Sequence, residues 1–211
     1  MMAIALFLLG CIVQCVSPIY TNDQLVSNPD IEGFWDAPNF HGTWEINESE
    51  DGYILEQWYC PITWGGTIIT TYELRLAEIE GILVMDVYPI QNPGTDATEL
   101  GDWSDIWALT GHTVFIVDEM SDDSISLRYL FPVEENAEEL YSDLPTTTDL
   151  EENLYEYPVL DMSTEEFQEL ILKSLDEEYE DYWLTMELDR IDEPDRWAPE
   201  SEDQLVPAEQ E

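Results

Sequence analysis

The chain has 211 residues and carries 49 Asp or Glu against 5 Lys or Arg and 2 His, a formal charge of −44. Hydrophobic residues make up 44% and aromatic residues 12%, too much apolar surface for a wholly disordered polyanion, and the length suits one domain with terminal extensions. Binding to nucleic acid takes clustered Lys and Arg, so the charge argues against it, and equally against an anionic membrane surface as an electrostatic partner.

The charge does not belong to one tail, because residues 192–211 carry only −7 of it. The whole surface is therefore expected to be anionic. Such a surface repels itself, and molar salt relieves the repulsion by shrinking the Debye length to a few Å. With Lys173 as its one lysine, the composition resembles that of halophilic proteins. An acidic exported protein of ordinary seawater or periplasm is the alternative. A third reading, a DNA mimic, conflicts with the N-terminus.

Residues 3–10 (AIALFLLG) form an apolar run, shorter than the ~20 residues of a bilayer span and suited to the h-region of a signal peptide. Leu8-Leu9-Gly10-Cys11 resembles the bacterial lipobox, in which the cysteine is acylated and the chain is cut before it. Cys11 is thus the expected lipidation site. The expected location is the bacterial cell envelope, lipid-anchored, in the periplasm or at the cell surface. No Lys or Arg precedes the run, a departure from the usual positive n-region. Cys15 and Cys60 are expected as free thiols, and no Cys/His cluster suggests a zinc site.

Residues 12–37 mix Pro, Asn and Ser with no periodic apolar face and read as a flexible tether. Residues 38–191 read as a β-rich domain, and 192–211 as an acidic disordered tail. Inside the domain the apolar pattern has period two. Strands are expected at Gly42–Ile46, Tyr53–Cys60, Thr67–Ile79, Ile82–Tyr88, Thr113–Asp118 and Ile125–Phe131, with a tight turn at Glu80-Gly81. After residue 160 the period changes. Ser163-Thr164-Glu165-Glu166 is a capping box, and Phe167, Leu170, Ile171 and Leu175 follow at helical spacing. A last strand runs from Tyr182 to Asp189. The fold class expected is mostly β: one antiparallel meander barrel or strongly curved sheet, lipocalin-like, with a helix before the last strand.

Asn39-Phe40-His41-Gly42-Thr43-Trp44 resembles the Gly-x-Trp that opens the first strand of lipocalins. That resemblance implies a Trp44 plugging the barrel floor beneath an arginine of the last strand, for which Arg190 is the candidate. Over about residues 40–191, the chain also resembles a group of uncharacterised bacterial lipoproteins. The matching stretches are Gly42–Trp44, Tyr72–Leu76, Gly81–Pro89 and His112–Thr113. This second resemblance implies a compartment and a domain, and no activity.

Candidate chemistry is sparse. With 49 carboxylates, chance pairs carry no signal for glycosidic chemistry. Asp86 interrupts an apolar strand and is expected in a structural ion pair with Arg75 or Arg128. His112 is expected to close a loop by bonding to the backbone, since no Gly-x-Ser-x-Gly stretch supplies a nucleophile. Acidic residues between Asp118 and Asp123 lack EF-hand spacing. Trp44, Trp58 and Trp183 are expected to line the core or barrel, and Trp64, Trp103 and Trp107 to lie in loops. No cofactor or metal is implied. Two function classes follow. One is a non-enzymatic, lipid-anchored envelope module that binds a small apolar ligand or an envelope protein. The other is an extracellular hydrolase working through carboxylates.

Overall fold

In a computed structural model that describes residues 13–37, 42–59, 68–90, 111–130, 159–175 and 182–194, the alternating segments pair with their sequence neighbours. In chain order the strands are β1 (Gln14–Cys15), β2 (Leu25–Val26), β3 (Gly33–Ala37), β4 (Gly42–Ser49), β5 (Gly52–Tyr59) and β6 (Ile68–Ile79). They continue as β7 (Ile82–Pro89), β8 (His112–Met120), β9 (Ser124–Leu130), β10 (Val159–Leu160) and β11 (Trp183–Ile191), with one helix, α1 (Thr164–Ser174), before the last. β3 to β9 form an antiparallel meander. β11 pairs with β9 on one side and β3 on the other, which closes an eight-stranded barrel. The expected fold is the one that forms, and closure pairs each of those eight strands on both sides, except for short stretches of β6 and β8 that β2 and β1 take up.

Alternation decides what lies inside. On β6, Tyr72, Leu74 and Leu76 point inward and are at most 2% exposed, while Glu73 is exposed on the outer face. Every barrel strand sends at least one side chain into a single buried cluster, from Trp35 of β3 through Phe115 of β8 to Met186 of β11. The interior is a packed core, as small barrels require. The β6–β7 hairpin turns on Glu80 (φ 52°) and Gly81 (φ 83°), two positive-φ residues whose twist matches that of the strands.

A second core lies outside the barrel wall. Ser163 accepts from the Glu166 amide, and the Glu166 carboxylate accepts from the Ser163 amide, so the capping box starts α1. The helix lays Phe167 and Ile171 on the outward side chains Ile79, Val84, Ile116 and Trp183. Trp183 is a core tryptophan as expected, in this second core and not in the barrel: its indole donates to the Ser174 carbonyl at 2.6 Å, under the helix end. Trp58, by contrast, sits half-buried on the outward parity of β5 and lines neither.

Residues 13–37 are not a tether. β1 pairs antiparallel with the first residues of β8, along the edge that β9 leaves free there, and parallel with β10. β2 pairs with β6 beyond the reach of β5. A 3-10 turn at Pro29–Ile31, capped by Asn28, leads into β3, which is the first strand of the barrel. Segments this short show no period of their own, and their partners fix them. Cys11, His41, Cys60, Trp64, Trp103, Trp107 and most of the acidic tail lie outside the described residues.

Candidate functional site

Two polar constellations hold the N-terminal segment to the barrel. The first is built on Asp86, which points outward from β7 and is yet only 2% exposed because residues 13–20 cover it. Its Oδ2 accepts from the Ile19 amide at 2.9 Å, and its Oδ1 accepts from His112 Nδ1 at 2.8 Å. The His112 ring stacks on Tyr88 with centroids 4.5 Å apart. Gln14 accepts from the Gly111 amide at 3.1 Å, and a Cβ at Gly111 would stand 2.7 Å from the Cys15 carbonyl oxygen. The glycine before His112 is therefore what lets β1 approach β8.

These contacts correct two expectations. Asp86 does not pair with Arg75 or Arg128. Arg75 stands opposite it in the ladder, but its guanidinium lies over Gly52 and reaches Glu73 at 3.5 Å. Arg128 is held by Asp118 at 2.6 Å, with its guanidinium 5.7 Å from the Trp183 ring. His112 bonds not to the backbone but to the Asp86 carboxylate. A strand pattern tells that Asp86 and His112 share a face. It cannot tell that a third segment lies over them.

Cys15 stands opposite His112 in the β1–β8 register, so cysteine, histidine and carboxylate are neighbours. The chemistry runs against a nucleophile. Cys15 is 0% exposed, its Sγ faces the Met162 carbonyl at 3.7 Å, and burial pushes its thiol above the ordinary range. A reactive cysteine needs the reverse: exposure and a stabilised thiolate.

The second constellation is the barrel floor. Arg190 of β11 lies over the Trp35 ring at 4.2 Å. It donates to the carbonyls of Glu32 and Asp30, at 2.6 Å each, and to that of Asp122. Trp35 is fully buried, and its indole donates to the Ile31 carbonyl at 2.8 Å. Gly33 has φ +128°, and a Cβ there would stand 2.5 Å from Arg190 Nη1. The partner of Arg190 is thus Trp35 and not Trp44. Trp44 is buried and inward, edge-on to Phe115 with centroids 6.0 Å apart. Gly33-Phe34-Trp35 is itself a Gly-x-Trp, one strand before Gly42-Thr43-Trp44, and it is this earlier copy that lies beneath Arg190.

Among the described residues no three His, Cys, Asp or Glu side chains converge on a metal position. The gap between α1 and the wall, edged by Ile19, Ile82 and Leu175, measures about 10 Å³. That is far below the ~300–1,000 Å³ of a small-molecule pocket. Comparison with protein-family models, curated proteins and solved structures gives no match.

Proposed function

We propose that the protein is an exported, lipid-anchored envelope protein whose barrel is a non-enzymatic binding or structural module. The observation that carries this reading is the burial of residues 13–15 as part of the sheet, 3% exposed at Val13, 1% at Gln14 and 0% at Cys15. An export cut inside that segment would strip β8 and β10 of their partner. It would also unseat the segment whose amide satisfies Asp86. Cleavage ahead of Cys11, at the lipobox, keeps all of it.

Within the anchored reading, the filled barrel directs binding outward. A lipocalin-type interior ligand would have to displace the cluster of Trp35, Trp44 and Phe115, so the partner favoured is an envelope protein met on the outer surface. The hydrolase reading draws no support from Asp86, the buried carboxylate among the described residues, because a histidine and a backbone amide already occupy both of its oxygens. Expression in a bacterium fed labelled fatty acid tests the anchor. The chain should take up label, Cys11→Ser should abolish it, and an unlabelled wild-type chain with a different mature N-terminus would defeat the reading.

A further inference from the structure

The distance between the expected acylation site and the folded barrel is very short. One residue, Ile12, separates Cys11 from Val13, so the two Cα atoms can be no more than ~7 Å apart. Val13 is not the start of a loose leader. Its amide donates to the Leu130 carbonyl at 3.2 Å, and the Val16 amide donates to that of Leu160 at 2.9 Å. Ser17 Oγ donates to the Met162 carbonyl at 2.6 Å, and the Ile19 amide donates to Asp86 at 2.9 Å. The strand–strand pairing of Gln14 and Cys15 lies between these points. From Val13 to Ile19, the chain is fastened at nearly every residue, to β7, β8, β9 and the segment of β10. Val16, in the middle, is left 45% exposed.

We infer that the acylated protein sits flush on the bilayer, with the wall around β1, the start of β8 and β10 facing the lipid headgroups. This rests on the anchoring reading and adds an orientation to it. A tethered lipoprotein wanders over a distance set by its linker, whereas here the fastened segment removes that freedom. The fastened segment meets the barrel where β8 begins and β9 ends, so the opposite end, with the turns between Ser49 and Gly52, Ile79 and Ile82, and Met120 and Ser124, points away from the membrane. That far end is the one left open to an envelope partner.

The test uses the full acylated chain in phosphatidylcholine vesicles at molar salt, with a photoactivatable group on a fraction of the lipid headgroups. Labelled peptides are then mapped by mass spectrometry. A second form carries twenty Gly/Ser residues inserted after Ile12, which adds an r.m.s. reach of about 25 Å. Without the insert, label should fall on residues 13–20 and 159–163 in roughly tenfold excess over residues 49–52 and 120–124, and the insert should bring the ratio to about one. An even spread without the insert overturns the inference while leaving the anchor intact. An excess that survives the insert also overturns it, since the face would then have its own lipid affinity and the short linker would not be the cause. A chain that is not acylated removes both the anchor and the inference.

Discussion

The placement of Arg190 over Trp35 can be tested by a pair of double-mutant cycles. Arg190→Ala removes three donors to the carbonyls of Asp30, Glu32 and Asp122 and uncovers the Trp35 ring. These carbonyls lie near the surface, where water replaces part of what is lost. The hydrogen bonds and ring contact together should then be worth about 2–4 kcal/mol. Trp35→Leu keeps an apolar side chain and removes the π face and the indole donor to Ile31, at a cost of about 3 kcal/mol. If the guanidinium acts on that ring, the two changes are not additive. The cycle should give a coupling of about 1–2 kcal/mol. The same cycle with Trp44→Leu should give a clearly smaller coupling, because Trp44 packs on Phe115 and reaches Arg190 only through Trp35, its cross-strand neighbour. All variants are compared by urea denaturation in molar sodium chloride, which screens the charge without altering the comparison. A coupling to Trp44 as large as that to Trp35 would refute the assignment of β3 as the strand that closes the floor.

Asp86→Ala leaves the Ile19 amide and His112 without their acceptor, and should destabilise the fold by about 3–5 kcal/mol, the cost of two buried hydrogen bonds to a carboxylate. Limited proteolysis should then cut residues 13–20 early, and an unchanged digestion pattern would count against the fastened segment. Burial raises the Tyr72 hydroxyl from 10.0 to about 12. Its contribution to stability is therefore full below pH 10 and lost as pH climbs through about 12, a decline of about 2–3 kcal/mol at 1.36 kcal/mol per unit. Burial raises Tyr129 and Tyr20 in the same direction. Urea titrations from pH 9 to pH 12 should show the decline and Tyr72→Phe should shrink it; a variant as alkali-sensitive as the parent would refute the assignment. Finally, the spread of −44 predicts a Tm that climbs steadily from low to molar sodium chloride. A curve flat in chloride and rising only in sulfate would instead mark strengthened apolar burial.

The sequence by itself determined the strands that are long enough to show a period. β5, β9 and most of β11 bury one face, and a period of two over seven or more residues is readable without knowing what lies opposite; β6, β7 and β8 keep that period on the inner face and are also covered over part of the outer face, where they read as apolar runs bounded by turns. The same holds for α1, whose capping box and apolar stripe are local. The Glu80-Gly81 turn is equally legible, because Gly81 takes positive φ at no steric cost, and the hairpin then holds Glu80 at positive φ beside it. Tertiary structure decided everything that depends on a partner. β1, β2 and β10 are two residues long and exist only as additions to edges formed by other strands. β3 has only five residues, and its identity as the first barrel strand follows from the ring's need for an eighth member between β11 and β4. The choice between Trp35 and Trp44 beneath Arg190 is a matter of register, which two Gly-x-Trp motifs one strand apart leave open. The partners of Asp86 come from a covering segment 67 residues earlier and a histidine 26 residues later. Side-chain chemistry said that a buried carboxylate needs partners, and only the way the N-terminal segment lies across the wall said which.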